Sequence, residues 1–179
     1  MASKLDTLTH EQLQVVHHLL KGHNIFLTGS GGVGKSYLLS VIYNEYPSLK
    51  KKYDLLQAPY SLTKLPRIQI TAMTGCAALL LGNKAKTLHS WSGIRLGKGT
   101  VNELFVRIRR SPKAMRHWLC TDLLIIDEVS MLTAELLDKL NNNTILNSNI
   151  IKQDINPMKG ILSGLNDISV PFDFFLFFN

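Results

Sequence analysis

A glycine-rich segment that ends in lysine and serine is the strongest chemical signal in the sequence. The pattern G-x-x-x-x-G-K-[ST] is satisfied in full by Gly29, Ser30, Gly31, Gly32, Val33, Gly34, Lys35 and Ser36. Glycines let a backbone wrap closely enough to direct several N–H groups at the phosphates of a nucleotide. The pattern assigns Lys35 to the β- and γ-phosphates and the Ser36 hydroxyl to Mg²⁺. It therefore predicts a site for a nucleoside triphosphate.

Two adjacent acids follow a short apolar stretch farther along the chain. Residues 123–126 are Leu-Leu-Ile-Ile, a pattern typical of a buried strand, and Asp127 and Glu128 come directly after them. In a nucleotide site, Asp127 would hold Mg²⁺ through water and Glu128 would accept a proton from the attacking water. The alternative is a strand that ends in two solvated acids. Beside a complete phosphate loop, the pair favours hydrolysis over phosphoryl transfer to a small acceptor.

Positive charge is concentrated in the middle of the chain. The formal net charge of the sequence is +7, and residues 50–119 hold 14 lysines and arginines against Asp54 and Glu103, a formal +12. Lysine and arginine that neutralise phosphates release condensed counterions, so this distribution indicates a polyanion such as a nucleic acid. An ordinary solvated surface is the alternative interpretation.

Composition excludes several classes of protein. Hydrophobic residues make up 45% and charged residues 18% of the 179 residues, which is typical of a globular chain. The two cysteines, Cys76 and Cys120, cannot build a disulfide scaffold or a four-cysteine zinc site. No apolar run approaches the length of a membrane span, about 20 residues, and the first residues do not resemble a signal peptide. We therefore expect a soluble, intracellular protein without a membrane partner.

Strands and helices alternate along the chain. The pattern predicts strands at 24–28, 67–72 and 122–127, and helices at 8–21, 35–46, 76–81 and 101–110. Thr9 is a suitable N-cap for the first helix, and Pro47 is expected to end the second, which leaves 50–66 as a surface connection. This alternation favours an α/β fold, with a parallel sheet covered by helices on both faces.

The end of the sequence differs from the rest in composition. We expect residues 1–140 to form the folded domain and 141–179 to form a divergent tail, truncated or poorly ordered, because 141–149 contain five asparagines. Residues 172–178 hold five of the seven phenylalanines. That run suits either a core strand or an exposed apolar end, and an exposed end would promote self-association.

Four sequence blocks between Leu8 and Leu140 resemble the Pif-one-type DNA helicases of superfamily one, which are related to the RecD helicases. The blocks are LTHEQ at 8–12 leading into GHNIFLTG at 22–29, TAMTGCAA at 71–78, TLHSWSGI at 87–94 and DEVSML at 127–132. The resemblance implies a P-loop NTPase fold of the RecA-like kind, here an incomplete first motor domain. It implies ATP and Mg²⁺ as cofactors, single-stranded DNA as partner, and translocation from 5′ to 3′.

The resemblance also implies roles for individual residues. Gln12 would hydrogen-bond the adenine edge, and the second and third blocks would grip single-stranded DNA through Thr74, Gly75, His89, Ser90 and Trp91. Hydroxyls and backbone groups bind phosphates without reading sequence. Flat side chains such as that of Trp91 can stack on bases, although a core position is the alternative for this tryptophan. The resemblance further implies a role in DNA repair, recombination and telomere maintenance, and a location in the nucleus or mitochondrion if the source is eukaryotic.

The resemblance degrades after Leu140. Residues 161–164 (ILSG) fit the opening of the family's next motif, but the glutamine that senses the γ-phosphate does not follow, and the 179 residues contain no second motor domain. We therefore expect this polypeptide to bind Mg-ATP and single strands, to hydrolyse ATP slowly and not to unwind duplex. A protein that binds ATP and single-stranded DNA without turnover, an AAA-type ATPase or a nucleotide kinase are the alternatives.

Overall fold

One parallel sheet organises the chain. A computed structural model describes residues 4–58, 64–82 and 84–142, together with the backbone of 173–177. Within these residues five strands pair in the order β1-β5-β4-β2-β3, all parallel. They are β1 (Ile25–Leu27), β2 (Ile68–Ala72), β3 (Lys86–Thr87), β4 (Leu123–Asp127) and β5 (Asp173–Phe177).

Helices connect the strands, and most of them begin at a threonine or serine. The α-helices are α1 (His10–Leu20), α2 (Lys35–Gln57), α3 (Gly75–Leu81), α4 (Leu88–Ser92), α5 (Val101–Arg109), α6 (Pro112–Cys120) and α7 (134–142). Short 3-10 turns lie at Lys4–Thr7 and Val129–Met131. A side-chain oxygen caps the first turn of six helices by accepting a backbone N–H, and the capping residues are Thr9, Thr74, Thr87, Thr100, Ser111 and Thr133.

Strand β4 is buried on both of its faces. Leu123 and Ile125 pack with α1 and α2 in one apolar cluster, whereas Leu124 and Ile126 pack with α4, α5 and α6 in a second cluster. Successive side chains of a strand point to opposite faces, so a continuous apolar run is what a doubly covered sheet requires. The predicted α/β fold with helices on both faces is confirmed.

Helix α2 does not end at Pro47, as the sequence led us to expect. It continues to Gln57 with Pro47 inside it, so residues 50–57 are helical rather than part of a surface connection. Tertiary contacts on both sides of the proline hold the helix. Tyr46 is buried against α1, and the Lys50 ammonium donates to the Leu20 carbonyl at 3.0 Å and pairs with Asp54 at 2.9 Å. These contacts offset the hydrogen bond that proline cannot donate.

The phenylalanine-rich segment supplies a central strand. Residues 173–177 form β5, which pairs with β1 on one side and with β4 on the other. Of the two alternatives, a strand or an exposed apolar end, the backbone of these residues takes the strand, so this part of the predicted tail pairs within the sheet. The rest of the asparagine-rich segment after residue 142, and the ILSG sequence at 161–164, lie outside the described residues.

Helix α6 was not predicted, although its start carries a clear signal. Ser111 caps it by accepting the Ala114 N–H, and Pro112 occupies the first turn, where a missing N–H has no cost. Ala114 and Trp118, four residues apart, are its buried positions. None of the helices described is long and apolar enough to cross a membrane.

Candidate nucleotide site and nucleic-acid surface

The phosphate loop connects β1 to α2 and is shaped by glycines in the left-handed region. Gly32 has φ +82° and Gly34 has φ +86°, backbone conformations that L side chains rarely adopt. At Gly34 a Cβ would also come within 2.9 Å of the Gln12 side-chain nitrogen. The loop therefore leads directly into α2, a helix of 23 residues, and its N–H groups lie at the positive end of that helix. This arrangement suits an anion.

The Lys35 ammonium lies inside the phosphate loop. It donates to the Gly29 carbonyl at 2.6 Å and to the Ser30 carbonyl at 2.8 Å. Ser36 follows in the first turn of α2 with its side chain exposed. The structure thus brings together the glycines, Lys35 and Ser36, the set that the sequence pattern assigned to phosphates and Mg²⁺.

A small cavity of about 370 Å³ lies between α1 and the phosphate loop. Gln12 is at its wall, where its side-chain oxygen accepts the Thr9 N–H at 3.1 Å and its side-chain nitrogen donates to the Val33 carbonyl at 3.4 Å. Apolar side chains, including those of Val15 and Leu38, form much of the remaining lining, which also contains Glu11 and Lys35. A mostly apolar slot with one amide is suited to a planar heterocycle that carries hydrogen-bonding edges.

Asp127 and Glu128 follow β4 at the same edge of the sheet as the phosphate loop. Burial raises the pKa of Asp127, the neighbouring Glu128 charge raises it further, and a backbone hydrogen bond at Glu128 and the charge of Lys35 oppose the shift. Glu128 has φ +58°, a left-handed conformation that costs a non-glycine residue about 1–3 kcal/mol. Strain of this kind is concentrated at functional sites, and here it turns the chain directly after the strand.

The second sequence block places Thr74 and Gly75 where β2 ends. The Thr74 hydroxyl accepts the Ala77 N–H at 3.2 Å and so caps α3, and Gly75 is exposed. Because β2 is parallel to β4 and Ala72 lies opposite Asp127, these two residues share the sheet edge with the acid pair. A phosphate can approach the exposed backbone at Gly75 from that edge.

The third block opens onto a wide cleft, which we call the first basic cleft. It has a volume of about 1090 Å³ and lies between α4, α5 and the loop that joins them. His89 is half-buried and Ser90 exposed on its wall. Its basic side chains are Arg95, Arg107 and Arg110. Glu103 also lines the cleft, but its carboxylate accepts the Thr100 N–H at 2.8 Å, and hydrogen bonds to Thr100 lower its pKa.

Trp91 does not lie on that surface, contrary to its predicted role in DNA binding. Its side chain is 0% exposed and packs against Trp118 with ring centroids 4.9 Å apart. Helix α4 turns Leu88, Trp91 and Ser92 inward, whereas Ser90 faces outward. The spacing i, i+3, i+4 of the inward residues is that of a helix face packed on a core, a signal present in the sequence. Trp91 therefore belongs to the core.

His117 links Trp91 to β3. Its Nδ1 lies 2.8 Å from the Trp91 carbonyl, and its Nε2 lies 3.0 Å from the Lys86 ammonium. Because a carbonyl accepts and an ammonium donates, the neutral ring with the proton on Nδ1 satisfies both contacts. Burial is the main cause that lowers the pKa of His117; the hydrogen bond to the Trp91 carbonyl opposes it, and the charges of Lys86, Lys113 and Arg116 add to the lowering.

This arrangement predicts a pH-dependent stability. Since the folded pKa of His117 is depressed, the unfolded chain takes up its proton first, and stability is lost as pH falls below about 6.5, the ordinary histidine value. His117→Asn keeps an amide that can donate to the Trp91 carbonyl but removes the titrating ring. We expect this variant to reduce the difference between the free energies of unfolding in urea at pH 7.5 and at pH 5.5, which lie roughly one unit either side of the ordinary histidine pKa. The exposed His17→Asn serves as the control. An unchanged difference in His117→Asn would contradict the proposed linkage.

The parallel sheet, the phosphate loop between β1 and α2, and the acid pair after β4 define a P-loop nucleotide-binding domain. The predicted α/β fold of the P-loop NTPase kind is thereby confirmed.

The chain belongs to the PIF1-like helicase family, which it matches over residues 7–163. It is 41% identical over 134 residues to "ATP-dependent DNA helicase PIF1" of Saccharomyces cerevisiae (strain YJM789), a match that covers 75% of this chain and 14% of that protein. It is also 41% identical over 140 residues to "ATP-dependent DNA helicase RRM3" of Saccharomyces cerevisiae (strain ATCC 204508 / S288c), covering 78% of this chain and 17% of that protein.

A crystal structure of Pif1 helicase from Candida albicans aligns with 96% of this chain and 32% of that chain. The TM-score is 0.64 and the sequence identity 34%. The family that the four sequence blocks indicated is therefore confirmed, and the chain spans a small share of the length of these relatives.

Proposed function

We propose that this chain is the ATP-binding and ATP-hydrolysing part of a DNA helicase motor, in which turnover is coupled to 5′-to-3′ movement along single-stranded DNA. The observation that carries the proposal is the meeting of the phosphate loop, Asp127 and Glu128 at one sheet edge. The relatives are named ATP-dependent DNA helicases, which supports this choice among the P-loop activities.

The phosphate loop supplies the binding of ATP. Its backbone N–H groups and the N-terminus of α2 receive the phosphates, and the Lys35 ammonium exchanges the carbonyls of Gly29 and Ser30 for phosphate oxygens. Lys35 is then a charged donor on the β- and γ-phosphates. The carbonyls that it leaves are part of an exposed loop, so water can satisfy them.

The residues present also fit a magnesium ion. Ser36 offers an exposed hydroxyl at the start of α2, and Asp127 offers a carboxylate whose burial and raised pKa make a cationic partner favourable. When bound, Mg²⁺ neutralises charge on the phosphate oxygens. Glu128 accepts the proton of the attacking water. Its left-handed backbone turns the chain directly after Asp127, so the two neighbouring carboxylates can serve different functions.

Gln12 provides selectivity for the base. Its amide presents one donor and one acceptor, which is the pattern that the edge of adenine complements. In the structure hydrogen bonds to Thr9 and Val33 fix the position of this amide beside the loop. When adenine binds, its edge takes the place of these two hydrogen-bond partners.

Single-stranded DNA occupies the first basic cleft and the exposed backbone at Gly75. Arginines beside exposed hydroxyls are suited to phosphates, because they bind without reading sequence. The His89 ring, half-buried on the wall, can contribute one edge or face to a nucleotide. A role on DNA requires a compartment that holds DNA, such as the nucleus or mitochondrion of a eukaryote.

Titration of a fluorescent oligothymidylate, followed by anisotropy, tests the DNA half of the proposal. We expect Arg95→Ala combined with Arg110→Ala to weaken binding and to lower the slope of log Kd against log salt by about 1.4, because each phosphate contact on a single strand contributes about 0.7. Lys51→Ala combined with Lys52→Ala, which removes the same charge from an exposed part of α2, is the matched control.

Two outcomes would reject this assignment. If wild type did not bind the oligothymidylate, the result would favour the alternative hypothesis of a nucleotide kinase, since a kinase needs no DNA affinity. If the control pair changed the salt slope as much as the arginine pair, binding would depend on overall charge and not on the cleft.

A further inference from the structure

A second basic cleft lies on the other side of the α5–α6 turn, and we call it the α6 cleft. It has a volume of about 660 Å³ and is lined by the start of β2 and by one side of α6. Strands β2 and β4 are parallel, so the residues before Ile68 lie at the sheet edge opposite to the acid pair. The α6 cleft is therefore separate from the ATP site.

Two of the three basic side chains of this cleft have no carboxylate partner among the described residues. Lys113 and Arg116 are exposed, and neither pairs with a carboxylate of the described residues. Arg67 is the third basic residue, and it lies 3.6 Å from Asp122. Within the part of the chain that the structure describes, no carboxylate lines the cleft.

A further lysine, Lys86, lies behind the cleft, in contact with its lining residue His117. The Lys86 ammonium is directed at His117, a neutral partner, rather than at an acid. The pKa of Lys86 is lowered by burial and then by the charge of Lys113. Like charges are thus held close together, an arrangement that an anion stabilises.

The two basic clefts meet at the turn between α5 and α6. Arg110 and Ser111 line the first basic cleft, and the next two residues, Pro112 and Lys113, line the α6 cleft. Basic residues therefore follow each other around the turn without an intervening acid in the sequence 107–116. A chain of phosphates that leaves the first cleft at Arg110 meets Lys113 and Arg116 next.

We infer that the α6 cleft is a second binding site for the phosphodiester backbone, which extends the DNA path around the α5–α6 turn to the far edge of the sheet. This inference rests on the proposed function, because the strand enters from the first basic cleft. It predicts that long strands use both clefts and short strands only the first.

A length series of oligothymidylates separates the two sites. Over about 4 to 16 nucleotides, the range in which compact single-strand-binding domains fill their sites, we expect Lys113→Ala with Arg116→Ala to leave short strands unaffected. For the longest strands the same pair should lower the salt slope by about 1.4, which corresponds to two lost phosphate contacts. Lys51→Ala with Lys52→Ala is again the matched control, and circular dichroism verifies the fold.

Cys120, which lines the α6 cleft, gives an independent readout. Cys76→Ser leaves Cys120 as the single thiol, because the sequence has two cysteines. A photoreactive aryl azide on Cys120 should cross-link long strands and not short ones. Loss of affinity for short and long strands alike in the Lys113/Arg116 pair, or no cross-link to long strands, would overturn the second site. Absence of all binding by wild type would instead reject the proposed function.

Discussion

Glu128→Gln should retain ATP binding and lose hydrolysis by about 10²–10⁴-fold, the usual contribution of a general base. Glutamine has the same shape and keeps the Cβ, so the left-handed backbone at φ +58° is unchanged and only the proton acceptor is removed. It also removes a charge that raises the pKa of Asp127, so the affinity for Mg-ATP should not fall. Phosphate release measures turnover, and a fluorescent ATP analogue measures binding.

Lys35→Ala is the complementary variant and should abolish binding of the same analogue. It removes a charged donor whose amine already lies inside the loop, and each hydrogen bond to a charged group is worth about 1.5–3 kcal/mol. Lys21→Ala, an exposed lysine at the end of α1, is a control of equal charge. Wild-type binding by Lys35→Ala, or full turnover by Glu128→Gln, would contradict these roles.

Trp91→Ala should destabilise the fold by about 3–5 kcal/mol, a large share of the about 5–15 kcal/mol that holds a typical domain together. The ring is 0% exposed and packs on Trp118, so its removal leaves a cavity in the second apolar cluster. Urea unfolding measures the loss. Leu80→Ala, at a helix position that is 90% exposed, should change stability by less than about 0.5 kcal/mol.

The same variant decides between the core role and the predicted base-stacking role of Trp91. Base stacking is worth about 1–3 kcal/mol, and it would appear as weaker DNA binding by a variant of normal stability. A core role gives the opposite pattern, in which stability falls and the folded fraction binds oligothymidylate normally. Wild-type stability with weak DNA binding would restore the stacking role.

Local chemistry made the nucleotide site predictable. The phosphate loop and the acid pair each lie within a few consecutive residues, and each adjoins a strand that its apolar run identifies. Neither depends on which distant segment packs against it. The roles given to Gln12, Thr74, Gly75, His89 and Ser90 remain predictions, and the structure adds where each of them lies.

Long-range packing explains the features that the sequence did not indicate. Pro47 is a helix breaker in a local pattern, but Tyr46 and Lys50 make contacts with α1 that a local pattern does not contain. The place of residues 173–177 in the sheet also depends on partners far away in the chain, Ile25 and Leu123 among them. Trp91 is a different case, because the inward spacing of Leu88, Trp91 and Ser92 could have been read from the sequence.

The central position of β5 has a consequence for how the chain folds. Strand β1 carries the phosphate loop and β4 carries the acid pair, yet these strands do not touch, since β5 lies between them. Ribosomes add about 5–20 residues per second, and residues 173–177 emerge after the other four strands that the structure describes. Until β5 is added, β1 and β4 each have an open strand edge, and such edges are prone to pairing with other chains. Closure of the sheet joins Ile25 to Phe175 across most of the sequence, a contact order typical of slow folding. We expect ATP-binding ability to appear late, in the same step that removes both open edges.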